Sequence, residues 1–299
     1  MKTGRYLLLA LLLNPAVALC ADSYRARFSA GFDPSSGKAR VSLSVEQAGQ
    51  HLIALDLSAP AERFTGFRGD GEIERSGERV VWLLPHKGGT LHWEAQIDHR
   101  RGEAYDARIT DDWAMLRLDD LFPPARTTTS KGAVSRSTLT LSGPAGWSFE
   151  TRYGPVREPV AVKTRDRRFS RPTGWLVAGR LGVRRDEIGE RTVAVAAPRG
   201  QGVRRLDTLA FVRWNLPALL EVFPDFPDYV LLAQAGSPMW RGGLSGPDSI
   251  YLHAERPLIS ENGTSTLIHE LIHLATGPRA RRRDDWVIEG IAEYYSLEI

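Results

Sequence analysis

Across residues 24–153 apolar side chains return at every second position: Tyr24, Ala26 and Phe28; Val41, Leu43 and Val45; Ile53, Leu55 and Leu57; Leu91, Trp93, Ala95 and Ile97; Leu139 and Leu141. Successive side chains of an extended strand point to opposite faces, so this period commits each run to a strand with one buried face. Turn-forming clusters such as Asp33-Pro34-Ser35-Ser36-Gly37 and Lys87-Gly88-Gly89 separate the runs. The pattern predicts an antiparallel β-domain over residues 22–157. Trp82, Trp93, Trp113 and Trp147 lie in it and read as core rather than as a sugar-stacking platform. Trp82 sits in the unbroken apolar run Val80-Val81-Trp82-Leu83-Leu84, and Trp93 falls on the inward phase.

The Arg- and Pro-rich segment 158–173 reads as a connection to a second domain over 174–299. There, 175–183, 192–197, 229–234 and 248–254 read as strands, and 204–223 as a helix interrupted or kinked before Pro217, with Trp214 in its core. Strands followed by helices suit an α+β arrangement. The chain's 299 residues, 42% of them hydrophobic, suffice for two cores of ordinary size. Part of the formal charge of +3 sits on Lys2 and Arg5, so the remainder is close to neutral and nothing argues for nucleic acid. The Arg-rich run 279–285 reads as a solvated loop.

Residues 1–21 read as a secretory signal, with Lys2 and Arg5 ahead of an apolar core too short to span a membrane. The expected location is therefore periplasmic or secreted. Cys20, the only cysteine, offers an alternative: a lipid anchor at Val17-Ala18-Leu19-Cys20. Either way the folded part has no disulfide and relies on core packing.

Near the C-terminus, His269-Glu270-Leu271-Ile272-His273 follows Thr264-Ser265-Thr266, a hydroxyl-rich helix start, and Leu267, Leu271 and Leu274 recur at helical spacing. Residues four apart stack on one helix face, so His269 and His273 offer two imidazole nitrogens to one Zn²⁺. Glu270, one position round, faces the open coordination position and is the candidate general base for a water whose pKa zinc brings to about 7. A second helical candidate, 286–296, carries Glu289 and Glu293, separated from His273 by fifteen and nineteen residues.

Together with Trp286-Val287-Ile288-Glu289-Gly290, these residues resemble the gluzincin metallopeptidases, specifically their aminopeptidase-N-like and glycyl-aminopeptidase-like branches. In those, His-Glu-x-x-His is followed by Trp-x-x-Glu-Gly-x-x-x-Tyr, and the match covers residues 240–299. The resemblance implies a thermolysin-like zinc metallopeptidase domain with one zinc ion and a peptide or protein substrate. It also implies His269, His273 and Glu289 as metal ligands and Glu270 as the base. Glu293 becomes a partner to a ligand histidine, or the alternative third ligand, because its count of nineteen is the thermolysin-type spacing. Gly242-Gly243-Leu244-Ser245-Gly246-Pro247 stands where aminopeptidases carry Gly-x-Met-Glu-Asn, so the glutamate that holds a substrate's free α-amine has no counterpart. Gly242 and Gly243 are instead candidates for close approach of an extended peptide to the strand that follows. Relatives continue into a helical region that supplies an oxyanion-stabilising Tyr or His, so the chain reads as C-terminally incomplete at Ile299, and Tyr294 and Tyr295 read as core. The rival reading is a noncatalytic, zinc-containing peptide- or surface-binding protein.

Overall fold

The computed structural model describes residues 23–164, 168–277 and 285–299. The leader-like segment with Cys20, and the basic run that begins at Arg279, lie outside the described residues apart from the backbone of Asp285. Among the described residues the structure is mostly sheet, with three α-helices: α1 (Arg205–Val222), α2 (Thr266–Thr276) and α3 (Asp285–Glu298).

The N-terminal alternation is realised as a six-stranded sheet in the order Val160–Val162, Val134–Ser142, Ser23–Asp33, Lys38–Glu46, Gly88–Gln96, Phe64–Gly69. A four-stranded sheet contributes Leu52–Ser58 and Arg79–Leu83 to the same core. Trp82, Trp93 and Trp113 are buried and Trp147 is half-buried against that core. The Trp93 indole N–H donates to Leu121 O at 3.0 Å, which satisfies its one polar atom. The structure departs from the expected pattern in two places. Ser23–Asp33 pairs in parallel with Val134–Ser142, so the sheet is not purely antiparallel. In Leu52–Ser58 the register slips opposite Thr128 and Thr129, and Leu52 is buried while Ile53 is only half-buried. A one-residue slip exchanges the faces of a strand, and a bulge of this kind does so locally.

The segment 158–173 is not free chain. Val160–Val162 is an edge strand of the six-stranded sheet, and the buried Arg171 donates to Asp119 Oδ1 at 2.7 Å. The run expected as one strand over 175–183 divides at Gly179. Trp175–Gly179, buried throughout, inserts between Ser148–Thr151 and Trp113–Arg117, while Leu181–Ile188 opens a different sheet. Gly179 has φ 124°, and a Cβ there would lie 2.3 Å from Asp112 O. Only glycine can make this crossing.

That second sheet has the order Leu181–Ile188, Arg191–Pro198, Tyr229–Ala235, Ser249–His253, Gly243–Gly246, with its two central pairs parallel. Its central strands are buried on both faces, as parallel strands require. Val193, Val195, Val230, Leu232, Ile250 and Leu252 meet the helices on one side. On the other, Ala194, Ala196, Leu231, Ala233 and Tyr251 meet Trp113, Met115, Trp175 and Val177. α1 runs unbroken through Pro217. An internal proline costs about 3 kcal/mol, whereas burying Leu209, Val212, Leu216 and Leu219 contributes about 1.5–3 kcal/mol each, so packing prevails. Trp214 is 85% exposed rather than core. It stands two residues from both Val212 and Leu216, roughly 200° round the helix from each.

Candidate metal centre

α2 begins where the hydroxyl-rich segment predicts. Ser265 is the N-cap, its Oγ accepting from Ile268 N at 3.3 Å, and Gly277, with φ 53°, closes the helix by donating its N–H to His273 O. Leu267, Ile268, Leu271 and Ile272 anchor one face against the second sheet. That fixes the rotation of the helix, and His269 and His273 emerge together at its margin.

The two imidazoles converge. His269 Nε2 and His273 Nε2 are 3.0 Å apart, Glu289 Oε2 on α3 is 3.2 Å from His269 Nε2, and Glu289 Oε1 is 3.5 Å from His273 Nε2. Zinc ligands at about 2.0–2.1 Å in tetrahedral geometry stand about 3.3 Å from one another, so these three separations are the edges of such a site. Two nitrogens and a carboxylate oxygen are also the donor set that zinc prefers in hydrolytic sites. Burial, and then the neighbouring His269, push the His273 pKa below the usual imidazole value, which keeps the ring in the neutral form a metal ligand needs. Glu293, one turn beyond Glu289, approaches the other nitrogen of the first histidine: its Oε2 is 3.6 Å from His269 Nδ1. The structure therefore brings Glu289 to the converging nitrogens and Glu293 behind one of them.

Glu270 is buried, and it packs against the strand Gly243–Gly246 at the edge of the second sheet. A Cβ on Gly243 would lie 2.9 Å from Glu270 Cγ and 3.0 Å from Oε1. Glycine is thus required there by the chain itself, to admit the carboxylate. Burial raises the Glu270 pKa, an effect opposed by the charge of His269 and by hydrogen bonds from the Ser245 side chain and backbone. Gly242 answers to a different neighbour, since its Cβ would fall 2.1 Å from the Trp240 ring.

His269, Glu270 and Glu293 line a cleft of about 280 Å³ together with Trp240 and Arg256. Trp240 and Ser245 carry no signal in the sequence. Trp240 is held by residues far away in the sequence: the Arg101 guanidinium lies 4.0 Å from its ring centroid, and its backbone N–H donates to Tyr105 O at 2.7 Å. The two tyrosines after Glu293 part company. Tyr295 packs edge-on against Phe223 with ring centroids 5.0 Å apart, but Tyr294 is exposed rather than core.

No protein-family model and no curated protein matches the chain. Among solved structures, an aminopeptidase N family protein from Idiomarina loihiensis superposes on 91% of this chain with a TM-score of 0.67 at 13% identity. Native yeast LTA4 hydrolase superposes on 84% with a TM-score of 0.50, also at 13% identity. This chain spans 53% of the first and 43% of the second. The likeness is one of fold, in the direction the motif resemblance implies.

Proposed function

We propose that the chain is a secreted or periplasmic zinc peptidase, hydrolysing peptide bonds with a metal-activated water, and that its second sheet with α2 and α3 is a thermolysin-like catalytic unit. The observation that carries this reading is the convergence of His269, His273 and Glu289 within hydrogen-bond range of one another, beside a buried Glu270 and the edge strand Gly243–Gly246. A site that only stabilised the fold would have no use for a carboxylate in that place.

His269, His273 and Glu289 would hold the zinc, and Glu293 would orient His269 from behind. When bound there, zinc supplies Lewis acidity and brings a coordinated water's pKa to about 7. An extended peptide lies along the edge strand Gly243–Gly246, which sets its scissile carbonyl beside Glu270. Glu270 takes the proton of the attacking water as its oxygen bonds to the carbonyl carbon. When the C–N bond breaks, the same carboxyl gives that proton to the leaving amine. Its raised pKa suits both halves of this exchange better than an ordinary carboxylate would.

None of the described helices is long and apolar enough to cross a membrane. The leader-like N-terminus supports export, with Cys20 as the alternative anchor point.

The test is Glu270→Gln, which keeps the side chain's size and removes the base. It should retain zinc while peptide hydrolysis falls by roughly 10² to 10⁴. Blocked and unblocked peptides should be cut about equally, because no glutamate replaces the aminopeptidase α-amine ligand. Full activity in Glu270→Gln would refute the mechanism, and zinc-loaded wild-type protein inert towards both kinds of peptide would favour the noncatalytic binding protein.

A further inference from the structure

A second cleft lies far from α2 in the fold, at one edge of the N-terminal six-stranded sheet, where Ser23–Asp33, Val134–Ser142 and Val160–Val162 run side by side. Its volume is about 470 Å³, and among the described residues its walls carry Arg25, Arg27, Arg136 and Lys163 and no acidic residue. Arg25 and Arg136 are direct partners across the parallel pair. Like charges in that relation destabilise a sheet. One carboxylate, Glu46, serves both Arg25 and Arg27, at 3.7 and 2.5 Å, and among the described residues Arg136 and Lys163 have no acidic partner. Beside them Thr164 Oγ1 is buried and, among the described residues, has no hydrogen-bond partner, an arrangement that folded chains avoid unless something else fills the valence.

Each of these features asks for the same complement. Guanidinium and ammonium groups offer only donors, and the Thr164 hydroxyl adds another, so the ligand must be rich in acceptor oxygens and negatively charged. A carboxylate could satisfy one fork. Four cations offset by one Glu46 call for a more highly charged group with oxygens in several directions, which is the chemistry of a phosphate.

We propose that this cleft is a binding site for a phosphate-bearing ligand, recognised through Arg25, Arg27, Arg136, Lys163 and Thr164. The site is independent of the proposed peptidase centre. Its occupancy would relieve the repulsion between Arg25 and Arg136, and so couple ligand binding to the stability of the sheet edge.

The full chain should be titrated with inorganic pyrophosphate by calorimetry at 0.15 M salt. Cosedimentation with phosphatidylglycerol vesicles, against phosphatidylcholine vesicles, asks whether the phosphate comes from a lipid headgroup. Saturable binding of pyrophosphate at one site per chain is expected, weakened at least 10-fold in Arg136→Ala/Lys163→Ala and several-fold in the charge-neutral Thr164→Val. Zinc content should be unchanged in both variants, which separates this result from any failure of the metal site. Vesicle binding lost in the same variants, with or without pyrophosphate binding, would assign the headgroup as the source. If neither probe binds, or if binding is indifferent to Thr164→Val and follows net charge alone, the cleft is only a basic surface and the proposal is overturned.

Discussion

At the scale of single residues, Gly243 sets the position of the candidate base. Its backbone conformation is one any residue can adopt, so the demand for glycine is purely spatial: a Cβ would meet Thr266 Cγ2 at 2.8 Å and Glu270 Cγ at 2.9 Å. Gly243→Ala should therefore fold and bind zinc normally, yet displace the Glu270 carboxylate and lower kcat for peptide hydrolysis on the order of 10- to 10²-fold. An unchanged kcat would show that Glu270 has slack there and that its placement is not what the site depends on. Residues of this kind differ in how far the sequence reveals them. His269, Glu270 and His273 are legible because helix geometry alone makes neighbours of positions one and four apart. Ser245 and Trp240 are not, since their partners lie elsewhere in the chain: Ser245 meets Glu270 only through the packing of a strand on a helix, and Trp240, in the connection before that strand, meets Arg101 of a different sheet.

At the scale of elements, the site depends on the register of α3 against α2. Spacing along the sequence leaves Glu289 and Glu293 as rivals, because the path between the helices is not set by any local rule. The structure separates them by side: Glu289 faces the two Nε2 atoms and Glu293 faces Nδ1 of His269. Glu289→Ala should lose the metal, whereas Glu293→Ala should weaken zinc affinity by only about 10- to 100-fold. The reverse order in competitive zinc titrations would make Glu293 the ligand and show that α3 sits one turn out of register. α2 itself is fixed at its start by Ser265, and Ser265→Ala should cost about 1 kcal/mol of stability in a denaturant titration. No loss would mean that the apolar face of α2 alone determines where it begins. The strands were legible wherever the alternation was clean. Periodicity misleads where a bulge moves the phase, as at Leu52, or where a glycine turns one run into two strands, as at Gly179.

For the molecule as a whole, the joint between the N-terminal strands and the second sheet is the feature least visible in sequence, because nothing local says which sheet a buried run will join. Trp175 lies at that joint. It is fully buried, its backbone N–H donates to Ser249 Oγ at 2.8 Å, its indole N–H donates to Leu244 O at 2.9 Å, and its ring packs against Tyr251. Leu244 belongs to the edge strand beside Glu270, so the joint also supports the site. Trp175→Ala should destabilise the fold by about 3–5 kcal/mol in urea titrations; a loss below about 1 kcal/mol would mean that the two parts do not depend on this contact. The parallel pairing of Ser23–Asp33 with Val134–Ser142 was equally hidden, since periodicity fixes the face of a strand but not its direction. On the proposed reading the whole fold serves to hold one metal between α2 and α3. The most direct test of that reading is metal analysis of the purified full chain alongside His269→Ala and His273→Ala. One zinc per wild-type chain and none in either variant is the predicted result; equal zinc in all three proteins would contradict it.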